Sequence, residues 1–168
     1  MGRAYTYNVG VSQNGQRVYV GIIGSAAGSY LSRQPHLVSI VKDLLLTLNL
    51  TRPKIVVSQD MGLAVGNTHI VATDIKDTIF YAHPHKKANN LRFVKNRSME
   101  SSREVSVVLE QDSDGDYELM NVWIGPLYPP FPDAEDATDD SEAYWQSHAF
   151  TAGSEPIDLQ TVTTKRPY

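Results

Sequence analysis

The sequence predicts an α+β fold with a mainly antiparallel sheet, and three observations carry that prediction. Two pairs of alternating apolar runs are each joined by a turn dipeptide, Asn14-Gly15 in one and Asp114-Gly115 in the other. One stretch, Pro35 to about Leu48, repeats apolar residues at three- and four-residue spacing. Strands and helices segregate along the chain instead of alternating, which disfavours a doubly wound parallel sheet.

Taken in order, Tyr5, Tyr7, Val9 and Val11 alternate, as do Val18, Val20 and Ile22, so residues 1–30 open with a hairpin and a loop. The loop, Gly21 to Ser29, is rich in small residues and reads as a flexible connection. It lacks both the lysine of a phosphate-binding loop and the glycine spacing of a dinucleotide fingerprint. Leu37, Ile40, Val41, Leu44, Leu45 and Leu48 form one apolar face, which predicts a single long helix opened by Pro35. Short strands follow at Lys54–Val57, His69–Ala72, Thr78–Ala82 and Leu91–Val94. The second hairpin pairs Val105–Leu109 with Tyr117–Ile124. From residue 126 to 168 the chain carries an acidic, proline-rich segment, a short helix from Ser141 to His148 anchored by Trp145, and a tail that reads either as one edge strand or as a loose end. These elements read as a single domain, 1–168.

The chain has 168 residues, a net charge of −4 and no cysteine. A disulfide framework, a thiol nucleophile and a cysteine-ligated metal are therefore excluded. The start, MGRAYTYNVG, has no apolar signal core, and the apolar run Leu44–Leu50 is too short to cross a bilayer. The expectation is a soluble, cytoplasmic protein with no membrane partner. Charge is unevenly spread. Between Thr78 and Arg103 there are six Lys/Arg against one acid, and between Glu110 and Glu142 there are eleven acids and no Lys or Arg.

The basic segment is the leading candidate site. His83 and His85 can take and return a proton near neutral pH. Lys86, Lys87, Arg92, Lys95 and Arg97 can hold phosphate, and Tyr81 and Phe93 can stack a base. Attack of a ribose 2′-hydroxyl on its own phosphodiester needs a base, an acid and a cation, so no metal or cofactor is called for. A solvated basic loop explains the same residues without function. As metal ligands, His83 and His85 are poorly placed, because Pro84 between them interrupts a regular strand. Asp112-Ser113-Asp114-Gly115-Asp116 resembles a calcium loop at its start, but Tyr117 and Trp123 stand where glycine and glutamate are required, so it reads as a turn. His69 and His148 stand alone and read as structural.

Several motifs carry a resemblance: Asp60-Met61-Gly62, Asp77-Thr78-Ile79-Phe80-Tyr81-Ala82, Arg92-Phe93-Val94-Lys95, Tyr117-Glu118-Leu119, Trp123-Ile124-Gly125, Pro129-Pro130-Phe131-Pro132, and Tyr144-Trp145 with His148-Ala149. Residues 60–148 resemble a family of small bacterial proteins that has no assigned activity. The element order from Pro35 to Gly125 is more loosely similar to the fold of barnase, EndoU, colicin and RelE nucleases. That likeness implies metal-independent RNA cleavage. No catalytic motif of that group matches residue for residue, so it transfers no catalytic position. The low isoelectric point also departs from such toxins.

The expected function is RNA cleavage or RNA binding of bacterial toxin type, with His83 or His85 as base or acid. The alternative is a non-catalytic interaction protein, such as a toxin partner, inhibitor or phage-defence factor. Its acidic residues Asp133, Glu135, Asp136, Asp139 and Asp140 would dock on a basic protein. A third reading is a structural subunit that pairs through the edge of the N-terminal hairpin.

Overall fold

The structure is a computed structural model and describes residues 6–21, 25–84, 89–153 and 157–168. It has mixed α+β content, three short α-helices and eleven strands among the described residues. The chain forms two compact units. Residues 1–66 and 101–127 build the first, and residues 67–100 and 128–168 build the second. No linker composition marks a boundary, because the chain changes unit three times within ordinary loops and short strands.

The first unit is a five-stranded sheet in the order β1-β2-β10-β9-β3, with β1 and β3 at its edges. β1 (Thr6–Val11) and β2 (Arg17–Gly21) form the predicted hairpin, and Gly15 takes a φ of +84° in its turn. A side chain there would suffer the left-handed clash that glycine avoids. β3 (Lys54–Asp60) pairs antiparallel with β9 (Glu104–Gln111), which pairs antiparallel with β10 (Tyr117–Ile124). A register shift between Leu119 and Asn121 moves the inward set of β10 from Tyr117 and Leu119 to Val122 and Ile124, and all four are buried.

β10 runs parallel to β2, and a second parallel contact occurs in the other unit. The sheets are therefore mixed parallel and antiparallel, where a mainly antiparallel sheet was expected. The predicted hairpins are local. The parallel contacts join strands roughly a hundred and roughly sixty residues apart, a separation at which turn signals carry no information.

The helix expected from Pro35 to about Leu48 is shorter, Leu37–Leu45, and a second short helix precedes it. α1 (Ala26–Arg33) starts inside the stretch read as a flexible connection, and Ser25 caps it by accepting the Gly28 N–H at 3.1 Å. Pro35 disfavours helical backbone at Gln34, which sits at φ −129° and ψ 65° and ends α1. α2 (Leu37–Leu45) then places Leu37, Val41, Leu44 and Leu45 in the core with Val105, Val107 and Leu109 of the sheet.

At the changes of unit lie two short strands, β4 (Gly66–Thr68) and β8 (Glu100–Ser102). The second unit is a four-stranded sheet in the order β5-β11-β7-β6. Its strands are β5 (Ile70–Ala72), β6 (Ile79–Ala82), β7 (Leu91–Val94) and β11 (His148–Thr151). β11 is the strand that follows α3 (Asp139–Ser147), and it lies between β5 and β7 instead of at an edge. The edge positions fall to β5 and β6. Among the described residues no helix is long and apolar enough to cross a membrane.

Candidate functional site

Strand alternation gives the second sheet two faces. One face carries Ile70, Phe80, Ala82, Leu91, Phe93 and Phe150, which form a core with Trp145. The other carries Ile79, Tyr81, Arg92, Val94, Val71 and Ala149, by the pairings Ile79 with Val94, Tyr81 with Arg92, and Val71 with Ala149.

Phe93 belongs to the first face. It is 1% exposed, stacked on Phe80 at 5.1 Å between ring centroids and against Phe150 at 6.1 Å. Both sides of the ring are occupied, so a base has no access to it. Sequence alternation alone could not separate Phe93 from Tyr81, because both are aromatic and both lie in basic surroundings.

Tyr81 and Arg92 face one another directly. The Tyr81 N–H donates to Thr163 O at 2.7 Å and its carbonyl accepts the Thr163 N–H at 2.9 Å, so both backbone groups point away from β7. The pair Tyr81 and Arg92 is therefore the narrow, non-hydrogen-bonded kind, with about 4.5 Å between Cα atoms and closely neighbouring side chains. Arg92 Nη1 donates to Thr73 Oγ1 at 2.8 Å and to His148 O at 3.0 Å. Those two bonds fix the guanidinium plane, and its Nε and Nη2 groups make no hydrogen bond to a described residue. Tyr81 is 8% exposed, and its ring makes an edge contact with the Tyr168 ring at 5.9 Å between centroids.

The Tyr168 phenol is the feature that sequence reasoning missed. Its hydroxyl is buried with no hydrogen-bond partner among the described residues. Burial pushes its pKa up to about 12, and the neighbouring Tyr81 and the Asp133 carboxylate push the same way, against Arg92 and Arg166. The tail, read as an edge strand or a loose end, carried no signal for this, since an isolated tyrosine has no periodicity to place it.

His83 follows β6 and is half-buried. Its N–H donates to Thr161 Oγ1 at 2.8 Å and its carbonyl accepts the Asp158 N–H at 2.9 Å. His85, Lys86 and Lys87 lie outside the described residues. At the far side of that loop, Asp133 accepts the Asn90 backbone N–H at 2.8 Å and the Asn90 and Asn89 side-chain amides at 3.0 and 3.2 Å. This acid is thus spent on holding the end of the basic loop.

Lys95 and Arg97 leave the opposite end of β7. Four residues separate Leu91 from Lys95, or about 13 Å along a strand. Lys95 is exposed, while Arg97 pairs with Asp77 at 3.2 Å and Glu100 at 3.0 Å. Hydrogen bonding to Glu100 and the charge of Asp77 raise the Arg97 pKa further. The structure therefore brings Tyr81 and Arg92 together, places His83 two residues along the chain from Tyr81, and leaves Lys95 and Arg97 at the other end of β7.

The acidic block is divided as well. Glu110 to Glu118 lie in the first unit and Asp133 to Glu142 in the second. In the second unit the proline-rich segment is fastened by aromatic rings. Trp145 Nε1 donates to Pro129 O at 3.2 Å, and its ring lies 5.2 Å from Phe131, 5.6 Å from Tyr128 and 5.4 Å from Phe150. Glu135, Asp136, Asp139 and Asp140 are exposed, and Glu142 pairs with Arg166.

His148 sits on the opposite sheet face from Tyr81. Its ring stacks on Tyr144 at 4.0 Å, and Nδ1 lies 3.0 Å from Tyr144 O. A carbonyl only accepts, so Nδ1 carries the proton in that bond. In the first unit, Asp60 and Arg103 form an exposed pair at 2.7 Å, which lowers the Asp60 pKa chiefly through the Arg103 hydrogen bond. The Asp112 carboxylate accepts the Asp114 and Asp116 N–H groups at 2.9 and 3.1 Å, and Gly115 takes a φ of +90° in the same turn. Among the described residues no group of three His, Asp or Glu side chains is arranged to hold a metal ion.

No protein-family model, curated protein or solved structure matches this chain.

Proposed function

We propose that the second unit binds single-stranded RNA at the β6–β7 hairpin, with Tyr81 as the base-stacking ring and Arg92 as the phosphate contact. The observation that carries this reading is the direct pairing of Tyr81 with Arg92 on one sheet face, beside the loop that bears His83, His85, Lys86 and Lys87. An aromatic ring next to a guanidinium on a strand suits a nucleotide, because base and phosphate need a flat apolar surface and a fixed cation side by side. Cleavage, where it occurs, would use His83 or His85 as base or acid, with the cations holding the phosphodiester. Phe93 is left out of the binding set, because its ring is enclosed in the core.

The test is binding of a fluorescent oligouridylate at low salt with EDTA present, read by anisotropy, followed by gel analysis for cleavage. Tyr81→Leu and Arg92→Gln should each weaken binding about tenfold or more. His83→Ala/His85→Ala should remove cleavage while leaving most of the binding. Equal affinity in wild type, Tyr81→Leu and Arg92→Gln would sink the assignment.

A second reading rests on Glu135, Asp136, Asp139 and Asp140, exposed carboxylates on a segment that Trp145 holds in place. Long loops without secondary structure that are nevertheless pinned are often binding elements. On this reading the chain is a non-catalytic partner of a basic protein. Neutralising the four acids to Asn or Gln should abolish capture of that partner, and unchanged capture would remove the reading. Asp139 and Asp140 also complement the positive end of α3, which explains them without a partner.

A further inference from the structure

We infer that residues 157–168 are a displaceable strap that competes with single-stranded RNA for the Tyr81 face, with the Tyr168 ring standing in the place of a base. The inference rests on the reading of Tyr81 and Arg92 as the nucleotide-binding pair.

β6 is an edge strand, and edges in folded proteins are normally covered or blunted. Here the cover is partial. The segment touches the edge through two isolated bridges, Tyr81 with Thr163 and Pro84 with Ile157, and not through a continuous strand. Its 3₁₀ turn, Leu159–Thr161, contains no buried residue. Leu159 is 79% exposed and Val162 44% exposed, so of the apolar side chains between residues 157 and 162 only Ile157, partly buried against the second core, fastens the segment. The ion pair of Arg166 with Glu142 is exposed on both sides, and such pairs hold weakly.

Tyr168 is the contact that closes the Tyr81 face, and it is imperfect. The ring meets Tyr81 edge-on, and the Arg166 guanidinium carbon lies 5.9 Å from its centroid. Its hydroxyl, however, gives up water and gains no partner among the described residues. A permanent core tyrosine normally has its hydroxyl satisfied. The Tyr168 ring thus occupies the space beside Tyr81 and the guanidinium groups that a base would take, but at 87° to Tyr81, where a stacked base would lie parallel. Displacing the segment would free Tyr81, open the remaining N–H groups of Arg92 and expose the outward backbone of Tyr81 and His83.

The test uses the full chain and three substitutions with opposite expected signs. Tyr168→Ala removes the covering ring. Thr163→Pro removes one backbone donor to Tyr81. Tyr168→Phe deletes the unsatisfied hydroxyl and should hold the strap more firmly. Oligouridylate affinity, measured by anisotropy at fixed low salt, should rise about tenfold for Tyr168→Ala and for Thr163→Pro, and fall for Tyr168→Phe. Amide exchange at Thr163 should quicken when the oligonucleotide is added. Thermal melts establish that each variant is folded. Because Thr163 and Tyr168 lie outside the apolar cores, at least one loosened variant will remain folded. If RNA binds equally to all four proteins, the strap is overturned and the RNA reading stands. If Thr163 exchanges quickly in folded Tyr168→Ala, or Asp158 does so in folded Thr163→Pro, and no RNA binds, the RNA reading falls and the competition falls with it.

Discussion

The indole N–H of Trp145 reaches the carbonyl of Pro129 at 3.2 Å, so one side chain of α3 ties down the proline-rich acidic segment. Trp145 is 2% exposed and sits among Tyr128, Phe131, Tyr144 and Phe150. Trp145→Ala should destabilise the second unit by about 3–5 kcal/mol through the cavity it leaves. Trp145→Phe keeps most of the apolar volume but strands the Pro129 carbonyl, for about 1–3 kcal/mol. Urea melts separate the two. A Trp145→Phe midpoint equal to wild type would show that the hydrogen bond does not hold the segment.

Gly28 gives a prediction in which two effects oppose. In a helix, alanine is favoured over glycine by about 1 kcal/mol. At Gly28 a Cβ would come closer to the Gly21 carbonyl oxygen than real Cβ atoms come, and the obstacle is backbone that cannot swing aside. Displacing α1 from β2 costs about 1–3 kcal/mol, so the clash is expected to win and Gly28→Ala to lower the melting temperature. Ser29→Ala, on the exposed side of the same helix, should be neutral or slightly stabilising. A stabilised Gly28→Ala protein would mean that α1 is free to move.

Salt dependence distinguishes a compact site from a dispersed one. If all five candidate cations contacted phosphate, the logarithm of affinity would fall with a slope of about −3.5 against the logarithm of salt. The separation of Lys95 and Arg97 from Tyr81 leaves Lys86, Lys87 and Arg92, for which the slope is about −2. Titrations across a salt series give this directly. Lys95→Gln should leave the slope unchanged, and Lys86→Gln/Lys87→Gln should reduce it by about 1.4. A steep slope that Lys95→Gln lowers would restore the dispersed arrangement.

Tyr168 makes the alkaline limb of the stability curve specific. Its ordinary value is 10.0 and in the folded chain it is pushed up to about 12. Between these values the unfolded chain has lost the phenolic proton that the folded chain retains. Stability tied to Tyr168 is therefore complete below pH 10 and declines as pH rises towards 12. Tyr168→Phe should lose less stability than wild type across that window. At neutral pH the same variant should be as stable as wild type or more so, because the deleted hydroxyl has no partner among the described residues. A marked loss at neutral pH would reveal a partner for that hydroxyl.

Local patterning made the two hairpins legible, because Asn14-Gly15 and Asp114-Gly115 encode their own turns, and it also placed α3 and Trp145. It overran the helix that begins beyond Pro35, where α2 spans only Leu37–Leu45, and it read a connection where the small residues after Ser25 start α1. It also had no access to parallel pairing: Phe150 meets Phe93 and Tyr117 meets Val18 across long stretches of chain. For the site, residue type was visible and facing direction was not. Tyr81 and Phe93 are equivalent as letters, and they part only when β6 and β7 are in register and one face of the sheet is filled. Arg97 illustrates the same gap, since nothing in the segment reveals that Asp77 and Glu100 will claim its charge.

The strand order β1-β2-β10-β9-β3 has a bearing on how the chain is made. The first sixty-six residues contain β1, β2 and β3, yet no two of these apart from the opening hairpin touch, because β9 and β10 stand between them. As the polypeptide leaves the ribosome, the N-terminal half of that sheet must wait with unsatisfied edges while residues 67–100 emerge. Only when β10 is complete, at Ile124, can its centre be filled. A nascent chain stalled at residue 100 would therefore hold a lone hairpin, two helices and an unpaired β3, a state suited to capture by a chaperone. The last-made strands of the first unit are the ones on which its assembly depends.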